Sequence, residues 1–189
     1  MKKYVFVVLT FFLSFPILAE PARFKGLAVG AYGTGDFMLG DYADVAKGDA
    51  GGGLLLEYTI LNFEKIDFGG SVRAEFFHIF PKSDSALKSE NDFAFTGGVF
   101  LRVPFGQFAF QSEFAYGALI RLANGEDGSD KNGTYIDQII RVATGLRWNP
   151  SFTRNLEIEL APTFSLIPED KHLLLEAGGR LGAIWHFGK

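Results

Sequence analysis

Residues 108–121 read FAFQSEFAYGALIR. The bulky apolar residues Phe108, Phe110, Phe114, Tyr116 and Ile120 take even numbers, whereas Gln111, Glu113 and Arg121 take odd ones. Side chains alternate between the two faces of a β-strand, so this stretch carries one oily and one charged face. Strands in globular proteins run to roughly five or six residues. An alternation sustained for 14 residues calls for a different kind of sheet.

The same period recurs along the chain. In DFGGSVRAEFFHIF, Phe68, Val72, Ala74, Phe76, His78 and Phe80 oppose Ser71, Arg73, Glu75, Phe77 and Ile79. In DFAFTGGVFLRV, Phe93, Phe95, Val99, Leu101 and Val103 oppose Thr96, Gly98, Phe100 and Arg102. YIDQIIRVATGLRW sets Ile136, Ile140, Val142, Leu146 and Trp148 against Asp137, Ile139, Arg141 and Arg147. NLEIELAPTFSL and HLLLEAGGRLGAIWHF repeat the pattern, with Glu157, Glu159, Glu176 and Arg180 on the polar face. Two further strands, at about 23–36 and 52–62, bring the set to eight, the first without a clear phase.

The connections alternate in length. Long polar segments near 37–51, 81–91, 123–134 and 167–171 alternate with short ones such as NFEKI, PFGQ and NPSFTRN. Long loops at one end and short turns at the other mark an up-and-down barrel of the outer-membrane kind. In hydrocarbon every backbone N–H and C=O must be paired within the protein, so strands cross only as a closed barrel. The expected fold is therefore all-β: an eight-stranded antiparallel up-and-down transmembrane β-barrel. Its apolar face is too bulky to fit inside eight strands, whose interior is only just filled by side chains. The oil must face lipid and the charge must face the lumen. A soluble barrel of lipocalin type is the alternative, and it predicts the reverse orientation. Phe68, Phe108, Trp148, Trp185 and Phe187 near one set of strand ends, and Phe80, Phe93 and Phe164 near the other, take the places of aromatic girdles.

The N-terminus reads as a secretory signal. Basic Met1-Lys2-Lys3 precedes YVFVVLTFFLSFPIL, and Ala19 offers the small residue for cleavage. The division is then 1–19 signal peptide and 20–189 barrel domain. No later apolar run reaches about 18 residues, so no transmembrane helix is expected. Cleavage removes Lys2 and Lys3 and takes the net charge from −4 to −6, which argues against a nucleic-acid partner. The absence of cysteine excludes a disulfide framework, a thiolate metal site and an N-terminal lipid anchor.

The polar phase assigns seven acids to the lumen, Glu57, Glu75, Glu113, Asp137, Glu157, Glu159 and Glu176. It also assigns six arginines, Arg73, Arg102, Arg121, Arg141, Arg147 and Arg180. Enclosed charges must be paired, so this near balance predicts an ion-pair network filling the middle and lower barrel. Its expected members include Arg73, Glu75, Arg102, Glu113, Arg141, Glu157, Glu159, Glu176 and Arg180. Above it, the inward residues Leu55, Phe77, Ile79, Leu119, Ile139 and Leu174 predict an apolar cup with room for a small hydrophobic ligand. Pro162, inside a strand of a sheet without edges, predicts a local gap in the wall. Lateral exit of an apolar solute is the functional reading of that gap.

No catalytic residue, metal or cofactor is expected. Three histidines exist. His78 takes the lipid phase, His172 neighbours loop acids, and His186 is inward with no serine in view. The loop acids Asp41, Asp44 and Asp49, and Glu126, Asp127 and Asp130, lack the ordered spacing of a calcium loop.

With its signal, eight alternating strands over 23–187 and long polar loops, the chain resembles the small eight-stranded outer-membrane proteins of the OmpW, OmpX and opacity type. The resemblance is architectural. It implies a multi-pass outer-membrane location with both termini periplasmic, and outer-membrane lipid, periplasmic chaperones and the barrel-assembly machinery as partners. OmpW-like proteins imply passage of small hydrophobic molecules, and opacity-like ones imply adhesion to a host surface ligand through the loops. Such families end on an aromatic residue, whereas here Gly188-Lys189 follow Phe187.

Overall fold

In the computed structural model the described residues are 26–63, 65–125, 133–153, 155–169 and 173–187. The signal segment, His172, Glu126, Asp127 and Asp130 lie outside them. The eight strands are β1 (Gly26–Leu39), β2 (Ala46–Asn62), β3 (Asp67–Pro81), β4 (Leu87–Phe105), β5 (Phe108–Gly125), β6 (Gly133–Trp148), β7 (Leu156–Pro168) and β8 (Leu173–His186). Each pairs antiparallel with the next, and β1 returns to β8 from Ala28↔His186 to Leu39↔Leu175, closing the barrel. Closure leaves no edge strand, the condition for crossing hydrocarbon.

The phase of every strand that the sequence assigned is the observed one. On β5, Gln111, Glu113 and Arg121 are buried while Phe108, Phe114 and Tyr116 are exposed. Arg73, Arg102 and Arg147 are among the largest fully buried side chains. Leu54, Val72, Phe95, Leu101, Leu160 and Leu181 are more than 45% exposed. A soluble barrel would have the opposite pattern, so the lipocalin alternative is overturned. β1, whose phase the sequence left open, turns Tyr32, Asp36 and Met38 inward.

The wall extends further toward the end bearing the long connections, here the loop end, than the sequence predicted. β2 starts at Ala46 and β4 at Leu87. Asp49 and Glu90, both expected in loops, are thereby lumenal strand residues, as is Asp92 at the start of an expected strand. The polar composition that reads as loop belongs here to inward-facing positions. Between β1 and β2 a short 3₁₀ segment, Gly40–Asp44, turns Tyr42 into the barrel mouth.

At Pro162 the ladder between β6 and β7 loses pairs. Ala143↔Thr163 and Leu146↔Leu160 are registered, with nothing between them. On the other side Pro162 still faces Gly179 of β8. The interruption removes hydrogen bonds without opening the wall. A Cβ on Gly145 would overlap the Cβ of Ala161 and the carbonyl of Leu160, so the two backbones are in contact. The gap expected at Pro162 is thus a missing pair of rungs.

Orientation is directly testable. Trp148 and Trp185, the chain's two tryptophans, are 38% and 45% exposed on the outer wall. In lipid vesicles, brominated acyl chains should quench most of the tryptophan emission and a water-soluble quencher little of it. The opposite ranking would reject the lipid-facing assignment.

Candidate functional site

The lumen is a stack of charged layers, built by the inward residues of neighbouring strands. Nearest the turn end, Glu57 of β2 receives Arg147 (Nη2 2.6 Å, Nη1 2.7 Å) and Arg102 (2.9 Å). Gln111 bridges, accepting from Arg102 at 2.9 Å and donating to Glu57 at 3.1 Å. Glu157 completes the layer with Arg147 at 3.3 Å and His186 at 2.8 Å.

In the next layer Glu113 accepts from Arg73 through both oxygens (2.9 and 2.7 Å), from Arg180 at 2.6 Å and from the Ser71 hydroxyl at 2.6 Å. Arg180 also reaches Glu159 at 2.7 Å. Above it Arg141 donates to Glu75 at 2.5 Å and to Ser165 at 3.0 Å. Every member of the network expected from the sequence except Glu176 is therefore joined to an oppositely charged partner. Glu57, Arg147 and Gln111 belong to it equally.

Guanidinium faces do further work. Arg73 and Arg180 lie over the Tyr32 ring at 5.0 and 5.8 Å, Arg102 over Phe100 at 5.0 Å, and Arg141 over Phe77 at 5.2 Å. In a desolvated lumen such contacts add to the ion pairs. Tyr32 and Phe100 carried no role in the sequence reading. The available signal was an inward aromatic two residues from an inward arginine, as in Phe100 and Arg102.

The apolar cup differs from expectation. Phe77, Ile79, Leu119, Ile139 and Leu174 do come together, but with Met38, Tyr42, Ala46, Ala94 and Ile167 packed among them. None of the five is more than 5% exposed. Leu55 lies in a separate cluster with Ala28, Tyr32 and Ile184. The cup is filled because β1 and the 3₁₀ segment supply Met38 and Tyr42, neither of which the sequence placed in the lumen.

Tyr42 is the centre of that lid. Its hydroxyl donates to Glu90 at 2.7 Å, and Arg121 lies 5.3 Å over its ring. Burial, and then the Glu90 charge, hold the Tyr42 hydroxyl well above the ordinary tyrosine pKa, so it stays a donor. Arg121 also pairs with Glu90 at 2.9 Å, with Asp137 at 3.4 Å and with Glu169. One guanidinium thus ties β4, β5, β6 and the end of β7 over the mouth.

The near balance of charge is corrected. Asp36, Asp49, Asp67, Glu90 and Asp92 are buried as well. The described lumen holds eleven buried carboxylates and six buried arginines. The surplus gathers at the loop end, where Asp36, Asp49 and Glu176 each bring a carboxylate oxygen within 4.8 Å of the others. Of the histidines, His78 meets Asn91 at 2.9 Å on the exposed outer wall. His186 is engaged by Glu157.

No protein-family model matches the chain, and no curated protein does. Solved structures share its fold. Neisserial surface protein A superposes with a TM-score of 0.59 at 8% identity, over 87% of this chain and 99% of that one. The attachment invasion locus protein of Yersinia pestis gives 0.55 at 16% identity, over 86% and 99%. The N-terminal β-barrel domain of Pseudomonas aeruginosa OprF gives 0.52 at 12% identity, over 86% and 100%. The fold is that of the small eight-stranded outer-membrane barrels.

Glu113 is the most connected carboxylate. Replacing it with Gln leaves Arg73 and Arg180 buried and short of charge, which costs about 3–5 kcal/mol. Urea unfolding from lipid vesicles should show that loss. A midpoint equal to wild type would mean that the layer is solvated rather than paired.

Proposed function

We propose that this protein is a non-enzymatic, non-conducting integral barrel of the bacterial outer membrane, acting through its loop end. The reading rests on one observation above all: Tyr42 and Met38 fill the mouth over a lumen already closed by paired charges. Eight strands leave space for side chains and little else. The exposed apolar wall with aromatics at both ends fits insertion into lipid. In this reading the termini and short turns face the periplasm and the loops face outward. Barrel-assembly machinery and its chaperones would deliver the chain.

What remains accessible outside is the rim. There the 3₁₀ segment and the 82–86 turn lie beside the lid. The attachment invasion locus protein, a neighbour in fold, is also solved with a heparin analogue, sucrose octasulfate. A surface-ligand role for this chain is supported by that likeness of architecture alone. This rim carries Lys47, Lys82 and Lys88 as well as Asp41, Asp44 and Asp84, so its net charge favours neither sign of ligand.

The competing role is a conduit for small hydrophobic molecules, with Pro162 as the lateral exit. Planar-bilayer recording and liposome uptake of a hydrophobic dye separate the two. The wild-type barrel should show no stepwise conductance and no saturable uptake, and Pro162→Val should change neither. Unit current steps, or saturable uptake lost in Pro162→Val, would restore the conduit.

A further inference from the structure

One part of the outer wall carries a depression. A groove of about 610 Å³ runs across β8, β1 and β2 on the face that meets lipid. Its floor is Ala31 and Ala183, cross-strand partners with a single methyl group each. Trp185 and Leu156, themselves paired, stand on one side, and Leu54 and Leu56 of β2 on the other. β1 is paired with both neighbours through this stretch, so its backbone groups are already engaged. The lining side chains are aliphatic apart from Trp185, whose indole N–H is the one side-chain donor among them.

The strand ends set the height of the groove. Leu156 opens β7 and Trp185 is one residue from the end of β8, so this end of the groove lies at the turn end of the barrel. From there it runs toward the middle of the wall, where Ala31 and Leu54 lie well inside β1 and β2.

We propose that this groove holds one acyl chain of a phospholipid from the periplasmic leaflet, with the ester carbonyl of that chain toward Trp185. The inference rests on the orientation proposed above, in which the turn end faces the periplasm. The groove is continuous with the lipid-facing wall, so the molecules that reach it are lipids. Along its length it offers a polar group no partner, and a polar occupant would lose water without gaining a hydrogen bond. Its single donor lies at the end nearest the membrane interface, where a tryptophan keeps its ring in hydrocarbon and its N–H among polar groups. An acyl ester has the matching order, a long apolar stretch and then one acceptor.

The volume falls within the roughly 300–1,000 Å³ of small-molecule sites. A chain lying in the groove touches protein on three sides, whereas one on the open wall touches it on one. The added dispersion contacts are what would hold it when bulk lipid is removed. A second copy of the barrel fits less well. Leu54 and Leu181, 66% and 61% exposed, rise beside the alanine floor and hold another convex wall away from it.

The mature chain is refolded into vesicles of phosphatidylethanolamine and phosphatidylglycerol, extracted into detergent and weighed by native mass spectrometry. About one phospholipid should remain on each wild-type barrel. Ala31→Phe with Ala183→Phe fills the floor and should abolish retention. Both positions are open to lipid, so this pair should fold, which a heat-dependent shift in gel mobility checks. Ala118→Phe with Val142→Phe, outward on β5 and β6 across the barrel, should retain the lipid. Trp185→Phe should weaken retention about fivefold, the worth of one hydrogen bond, and an ether-linked phospholipid should bring wild type to the same level. No retained lipid, equal retention in the floor pair, loss in the control pair, no preference for the ester, displacement by added lipid A, or a dimeric mass in place of the lipid would each overturn the site. A barrel that inserts and retains nothing leaves the lipid-facing wall standing, whereas one that fails to insert removes that reading as well.

Discussion

Two closures govern this molecule. The sheet must close because hydrocarbon offers backbone groups no partner, and closing eight strands makes a lumen with little space for water. Whatever faces inward must then find its partner inside. From that constraint follow the layers of Glu57 with Arg102 and Arg147, of Glu113 with Arg73 and Arg180, and of Glu75 with Arg141. Buried pairs of this kind are costly to break and add little net stability by themselves. Their value lies in register: a one-residue slip of β3, β4, β5, β6 or β8 would turn its arginine into lipid.

The aromatic residues divide along the same line. Outside, they face lipid. Inside they are few, and Tyr32, Tyr42, Phe77 and Phe100 each carry a guanidinium over the ring. A narrow lumen thus uses its inward aromatics as surfaces for cations, while its outward ones meet acyl chains. The lid is one application of this rule, since Tyr42 supplies both the ring under Arg121 and the hydroxyl on Glu90.

The alternation of FAFQSEFAYGALIR and its repeats made the fold class, the strand phases and most of the ion-pair network readable from sequence. Where reading stopped, the reasons are physical. Asp49, Glu90 and Asp92 lie where an inward polar position and a loop residue look alike, because both are hydrophilic in a polar run. Asp36 and Tyr32 lie on β1, whose glycines and small residues carry a weak periodic signal. Met38 and Tyr42 fill the cup across a turn, and no periodicity reports what a turn folds onto. Pro162 was readable as a defect in the ladder. That its strand stays packed against Gly145 depends on a backbone approach that only coordinates reveal.

The surplus of buried acid lies toward the loop end, and that bears on how the lumen is filled. Asp36, Asp49, Asp92 and Glu176 lie toward the loop end, and Arg73, Arg102, Arg147 and Arg180 lie below them. An anion entering at the loop end meets Arg121, already held by Glu90, and then the carboxylates. A cation is drawn to the same carboxylates, and beyond them it meets the guanidinium layers, whose own acids are already engaged. In a low-dielectric enclosure either barrier is far higher than in water. Tyr42 and Met38 fill the mouth, and paired charges fill the lumen beneath it. Loosening the lid alone would therefore expose the acidic layer and leave the paired layers beneath it in place.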